Sequence, residues 1–458
     1  MDQREVYIQQ LIEKQTTELM DLSFDCICGE QHDVPMKHLS MRKGAVDEVG
    51  QVAARLGITG KGGLVFDRAI ADTVVAPVRK RLAGQGLDLR DYPEGDGSGV
   101  IPPEIEVAGV LADRIGGAVD YLVSVGSGVI SDLTKQAANL LQVPYMLVAT
   151  APSMNGYTSS MAALSNHGIK QTLTVEPARA IFADLDILKE SPVEMVRSGL
   201  GDIVSKSVCN ADWKLSQLVK GTYFCPVPFR ITDKTEPRYL NAAAEIGARS
   251  DNGIRELTDG VLRSGLSMTV IGTSTPSSGA EHLLSHYWDL VALMEGSRKH
   301  LHGVQVGVAT VIMQRVYDYL GNFPARRKID LKKLAGCYPD LRDLEVFMNN
   351  KFGDYADGVK EQYGQKHLPW EQKRRELERI LDGWEQLWDD ITPYIRPPGP
   401  VEQALAASGA AHRYTDLGMN RDQALDALVH ARLIRWRYTI LDLAADLGLL
   451  EEMAQKLL

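Results

Sequence analysis

Up to about residue 195 the chain alternates short β-rich apolar runs with longer stretches of helical periodicity. Residues 63–66 (GLVF), 121–125 (YLVSV) and 145–149 (YMLVA) predict strands, and 69–87 and 131–141 predict helices. Strands alternating with helices predict a mostly parallel sheet covered on both faces. Beyond about Ser191 strand-like runs almost vanish, and helical periodicity dominates 193–219, 236–260, 281–319, 370–387 and 421–458. A proline-rich piece at 396–400 (RPPGP) separates the last two blocks. The pattern predicts an α/β, Rossmann-like nucleotide-binding domain over 1–192 and an all-helical domain over 193–458.

Composition narrows the class without naming it. The 458 residues suffice for two or three domains with real cores, and 44% hydrophobic with 24% charged residues is a globular balance. A net charge of -10 argues against a nucleic-acid partner, which needs a basic stripe. The short clusters Arg326–Arg327–Lys328 and Lys373–Arg374–Arg375 read as solvated helix surface. Five cysteines are an odd number and sparse for the length, which argues for a reducing compartment without a disulfide framework. The first 22 residues lack the apolar core of a signal peptide, and no stretch is apolar for long enough to span a bilayer. A cytoplasmic protein without membrane insertion is therefore expected. Cys26, Cys28 and His32 invite a zinc reading, but the Cys-x-Cys spacing is tighter than usual and no fourth ligand stands nearby. The expectation is that they bind no metal.

Candidate chemistry begins at 123–135 (VSVGSGVISDLTK), where an apolar strand runs through Gly126–Ser127–Gly128 into a helix. Glycines let backbone approach an anion, and a helix N-terminus offers free N–H groups and a positive dipole end, so a pyrophosphate fits. An ordinary glycine-rich turn fits as well, because the third glycine of the usual dinucleotide fingerprint is missing. Asp67 ends an earlier strand, where it could accept from ribose hydroxyls or cap the following helix.

In the helical half, four of the ten histidines fall between 282 and 302. His282 and His286, four apart in SSGAEHLLSH, share a helix face. His300 and His302 stand near another helix start in KHLHGVQVG. Asp202, in GLGDIVSK, is expected near a helix start and adds a carboxylate. One Asp with two His suits a divalent metal such as zinc or nickel with positions open to substrate, although an N-cap and packed histidines would leave the same trace.

Taken in order, GSGVISDLTK, TAPSMNGYTSS (150–160), IFADLDIL (181–188), GLGD, SGAEHLLSH and LHG resemble the sn-glycerol-1-phosphate dehydrogenases. These belong to the dehydroquinate synthase and iron-containing alcohol dehydrogenase superfamily. The tail RWRYTILDLAADLGLL and the N-terminal CICGEQH resemble its longer bacterial members. The resemblance implies that Asp202, His282 and His302 bind the metal and that His286 relays protons beside the substrate. It implies that Gly126, Ser127, Gly128 and Asp132 form the pyrophosphate loop and that Asp67 meets the adenosine ribose. Thr150, Ser153 and Ser159 would lie along the nicotinamide and adenine, with Lys135 and Lys170 as basic candidates for cofactor or phosphate contact. The family usually reads S-x-D-G where this chain has Ser153–Met154–Asn155–Gly156. Asn155 can hydrogen-bond a hydroxyl but cannot act as a base.

The implied reaction is reduction of dihydroxyacetone phosphate by NAD(P)H to sn-glycerol 1-phosphate, with the metal polarising the ketone. The turn 277–279 is expected to cradle the substrate phosphate. A homodimer is the expected assembly. The alternatives are a glycerol or other polyol dehydrogenase, a dehydroquinate synthase-like lyase, and a non-catalytic nucleotide-binding paralogue.

Overall fold

The computed structural model describes residues 2–166, 169–297 and 299–458. Two compact units are present. The first comprises the chain up to Ile203 with Cys225–Ser274 and Ala407–Ala410. The second comprises Val204–Phe224, Thr275–Ala406 and Ala411–Leu458. The units therefore do not divide after residue 192 as expected. Packing explains the difference. The helix Asp251–Ile271 is buried along most of its length and packs against the turn at 155–158. Thr158 Oγ1 donates to the Leu262 carbonyl at 2.6 Å. A Cβ on Gly265 would lie 2.3 Å from the Asn155 carbonyl oxygen, so only glycine allows this approach.

Ten strands occur among the described residues, all in the first unit: β1 (Leu22–Asp25), β2 (Gln31–Val34), β3 (His38–Arg42), β4 (Lys61–Asp67), β5 (Asp88–Glu94), β6 (Tyr121–Gly126), β7 (Tyr145–Ala149), β8 (Met161–Asn166), β9 (Ile169–Thr174) and β10 (Ala180–Asp184). Six form one sheet in the order β3-β10-β7-β6-β4-β5, every neighbour parallel. The apolar runs read as strands are β4, β6 and β7, and β6, β7 and β10 are buried throughout, as a sheet covered on both faces requires. Val49, Val52, Val78 and Leu82 of the helices Val49–Arg55 and Ala76–Gly84 pack with Leu64, Val123, Val148 and Phe182 in one core. The helix Gly128–Leu141 packs against β4, β6 and β7.

From β4 the chain steps outward to β5, then returns to β6 and builds in the opposite direction through β7 to β10. Such a reversal leaves a crevice at the carboxyl ends of the diverging strands. Phe66 pairs with Val125, so Asp67 and Gly126 finish β4 and β6 side by side at that crevice.

One local difference from the expected elements has a physical cause. The helix expected over 69–87 opens as a 3-10 turn (Arg68–Ile70) and a π turn (Ala71–Val75), and becomes regular only at Ala76. Pro77 lacks the N–H that would extend an α-helical ladder back into the π turn. The hairpins β1–β2 and β8–β9 are antiparallel and stand apart from the main sheet.

Every regular element among the second unit's described residues is a helix. The block expected over 281–319 is two helices, Ala280–Glu295 and His302–Gly321. Gly296, at φ 65°, ends the first in the left-handed region. Leu283, Leu284, Tyr287, Val308, Met313 and Leu320 interlock these helices within a large apolar core. No helix is long and apolar enough to cross a membrane among the described residues.

Candidate active site

The glycine loop leaves β6 at Gly126 and enters the helix Gly128–Leu141 with Ser127 as its N-cap. The Ser127 side chain makes no capping hydrogen bond, so the first turn's N–H groups keep no side-chain partner there. A Cβ on Gly126 would fall 2.5 Å from Ile130 Cβ, and one on Gly128 would fall 3.0 Å from Met154 Cγ. Both glycines thus answer to close packing as well as to backbone approach. The Thr150 N–H donates to the Gly126 carbonyl at 3.1 Å and ties the next segment to the loop.

Several of the expected cofactor residues carry structural bonds. Asp67 accepts from the Ala69 N–H at 2.8 Å, so its carboxylate caps the turn after β4. Asp132 accepts from Lys135 Nζ at 3.2 Å and from the Ala163 N–H at 3.3 Å. Lys135 is fully buried and also donates to the carbonyls of Met161, at 2.9 Å, and Gly156. Its three ammonium protons are taken, and burial lowers its pKa against the pull of Asp132. Lys135 is therefore a strut beneath the loop and not the phosphate contact that the sequence suggested. Lys170 sits on β9. Ser153 is buried, 3.5 Å from the Tyr157 hydroxyl, and the Ser159 hydroxyl accepts from the Met161 N–H at 3.0 Å.

Asp202 is the penultimate residue of the helix Val193–Ile203, not near a helix start as expected, because that helix already begins after Pro192. A carboxylate at a helix C-terminus faces the unfavourable end of the dipole. Here it is 1% exposed, and the Asn155 N–H donates to it at 2.7 Å. The Asn155 side-chain amide adds a longer contact at 3.4 Å. An aspartate at 155 would set two carboxylates against each other, so asparagine suits this arrangement. Gly199, one turn earlier, permits it: a Cβ there would lie 1.7 Å from the Pro152 carbonyl oxygen.

In the second unit His282 and His286 project from Ala280–Glu295, and His302 opens His302–Gly321. Their ring centroids are 5.1 Å apart for His282 and His302, 6.1 Å for His282 and His286, and 5.4 Å for His286 stacked on His302. His300 does not join them and is exposed. His282 Nδ1 is 2.7 Å from Glu281 Oε1. A carboxylate accepts the Nδ1 proton, which leaves the Nε2 lone pair facing outward. Ser285 Oγ donates its one proton to Gln305 Oε1 at 2.8 Å, so it accepts from His302 Nδ1 at 3.1 Å, with the same consequence. Two histidines are thus held in the tautomer a metal requires. Glu281, Ser285 and Gln305 went unassigned in the sequence reading, although the first two lie inside the SGAEHLLSH motif.

The turn before this helix is not the phosphate cradle that was expected. The Gly279 N–H donates to Glu281 Oε1 at 2.9 Å and the Ala280 N–H to Asp212 Oδ2 at 2.6 Å. The carboxylates occupy the donors that a phosphate would need. Burial first, and the charge of Glu281 second, push the Asp212 pKa up to about 7.

The family model of the iron-containing alcohol dehydrogenases matches residues 40–192. The glycerol-1-phosphate dehydrogenase (NAD(P)+) of Halalkalibacterium halodurans is 34% identical over 311 residues, which span 67% of this chain and 76% of that protein. That of Geobacillus stearothermophilus is 33% identical over 309 residues, spanning 66% and 75%. The solved glycerol dehydrogenase of Schizosaccharomyces pombe aligns over 92% of this chain and 90% of its own, with a TM-score of 0.56 at 13% identity. At that identity the likeness is one of fold alone.

Proposed function

The chain belongs to the glycerol-1-phosphate dehydrogenase family, and from that premise we propose that it reduces dihydroxyacetone phosphate to sn-glycerol 1-phosphate with NADH or NADPH and one divalent metal, zinc or nickel. The observation that carries the reading is the paired tautomer control: Glu281 and Ser285 hold the Nδ1 atoms of His282 and His302, which frees both Nε2 atoms for a metal. Asp202, on which Asn155 donates, is the third ligand in this reading. When bound, such a metal polarises the ketone oxygen as a Lewis acid.

The remaining work falls to the chain's own side chains. His286, stacked on His302, supplies the proton taken up at the substrate oxygen. Gly126, Ser127 and Gly128 at the carboxyl end of β6 receive the pyrophosphate on backbone N–H groups, and Asp67 at the end of β4 faces the adenosine ribose. Thr150, Ser153 and Ser159 line the nicotinamide side, and Asp132 steadies the loop from below through Lys135. Asn155 acts on the substrate through the carboxylate it positions. The assembly implied by the family resemblance is a homodimer, which light scattering measures directly.

The test loads the protein separately with zinc and nickel and follows NADH and NADPH oxidation with dihydroxyacetone phosphate. Metal-dependent oxidation yielding the sn-1 enantiomer is the expected result. Oxidation with free ketones only would replace the reading with a polyol dehydrogenase, and turnover without net cofactor consumption would replace it with a lyase.

A further inference from the structure

The β1–β2 hairpin brings together side chains that the proposed reaction does not use. Cys26 and Cys28 lie in the turn between the strands, and His32 lies on β2. Alternate residues of an extended chain share a face, so Phe24 and Cys26 point the same way, and the turn beyond Cys26 brings Cys28 back toward His32. His32 pairs with Phe24 across the hairpin and meets it edge-on, with centroids 5.6 Å apart. The Cys26 N–H donates to the Glu30 carbonyl at 2.9 Å, the Gly29 N–H returns to the Cys26 carbonyl at 3.1 Å, and Gly29 takes φ +96°. This tight turn makes a Cys-x-Cys spacing workable.

A fourth donor comes from far along the chain. Cys225 precedes the helix Val227–Asp233, and its Sγ lies 3.6 Å from Cys26 Sγ and 3.6 Å from His32 Nε2. Cys28 Sγ is 3.3 Å from His32 Nε2. All four donor atoms fall within 4.8 Å of one another. A tetrahedron with Zn–S of about 2.3 Å and Zn–N of about 2.0 Å has edges of about 3.8 Å between sulfurs and about 3.5 Å from sulfur to nitrogen. The Cys26–Cys225, Cys225–His32 and Cys28–His32 separations lie within about 0.2 Å of those edges. They are far too long for a disulfide, whose sulfurs lie about 2.05 Å apart.

We propose that Cys26, Cys28, His32 and Cys225 form a closed structural zinc site that pins the β1–β2 hairpin to the segment entering Val227–Asp233. Four protein ligands of the Cys₃His type leave no position for substrate, which is the mark of a structural site. Cys26, Cys225 and His32 are 1%, 0% and 6% exposed, so bound zinc is shielded from competing ligands. Binding displaces the thiol protons to solvent, and the neutral imidazole contributes Nε2. The site fastens a region already joined by ion pairs: Glu5 with Arg230, and Glu13 with Lys234.

The test replaces bound metal in the full-length reduced protein with cobalt(II) and records its absorption spectrum. Thiolate ligands give an intense near-ultraviolet charge-transfer band that an Asp/His/His set cannot produce. The expected result is this band in the wild type, its weakening in Cys225→Ser with weaker zinc retention, and no change in Cys337→Ser. Stoichiometric cobalt binding by the wild type without the band would overturn the proposal, and so would a Cys225→Ser variant with the band at full wild-type intensity. The wild-type spectrum decides even if Cys225→Ser fails to fold. The result is also independent of the dehydrogenase reading, because turnover is not the readout.

Discussion

The histidine cluster at 282–302 and the sulfur-rich cluster at the β1–β2 hairpin are assembled in opposite ways. Two of the three histidines stand four residues apart on one helix, and the third opens the next helix. Each proposed ligand among them is backed by a hydrogen-bond acceptor, Glu281 or Ser285, which fixes its tautomer. The hairpin cluster has three sulfurs and one nitrogen, and one of its members arrives from 199 residues downstream. Nitrogen donors with an ordered backing and open positions suit a metal that must exchange substrate. A closed thiolate set suits a metal that only holds chain segments together. In the proposed roles, chemistry and assembly thus separate a site that reacts from one that fastens.

The largest expected effect sharpens that separation. His282→Ala should lower kcat/KM about a thousandfold, or about 4 kcal/mol of transition-state stabilisation, while the cobalt–thiolate band persists. Steady-state kinetics and the spectrum check this together, and a variant of full activity would break the comparison. Gly199→Ala comes next. Its Cβ would collide with the Pro152 carbonyl, so a destabilisation of about 3 kcal/mol is expected in denaturant unfolding. Glu281→Gln should weaken metal affinity about 10-fold by replacing the charged acceptor at His282 Nδ1 with a neutral one, as metal titration would report. Ser285→Ala should do the same to a smaller degree, since a hydroxyl is a weaker acceptor than a carboxylate. The smallest effect is expected at the glycine loop. Gly128→Ala meets only the flexible Met154 side chain and should raise the dinucleotide KM a few-fold, less than Gly126→Ala, which meets the branched Cβ of Ile130.

How much of this was legible in the sequence follows from the range of the interactions. The strands β4, β6 and β7 were readable because burial on both faces writes a continuous apolar run. The histidine cluster was readable because helical spacing is local. The interleaving of Cys225–Ser274 with the first unit was not, since the helix Asp251–Ile271 carries the same periodicity as any other packed helix. Lys135 was misread for a related reason: a lysine after a glycine loop looks the same whether it meets a phosphate or two carbonyls. Cys26, Cys28 and His32 were set aside for want of a fourth ligand, and Cys225 carries no local mark that joins it to them.

The separation of 199 positions from Cys26 to Cys225 also sets a schedule. A ribosome adding about 5–20 residues per second leaves roughly ten to forty seconds between the two cysteines. During that interval the hairpin thiols have emerged and their partner has not. A newly made chain therefore passes through a window in which oxidation of the hairpin thiols competes with the native arrangement, and growth conditions that lengthen the window should lower the yield of correctly assembled protein.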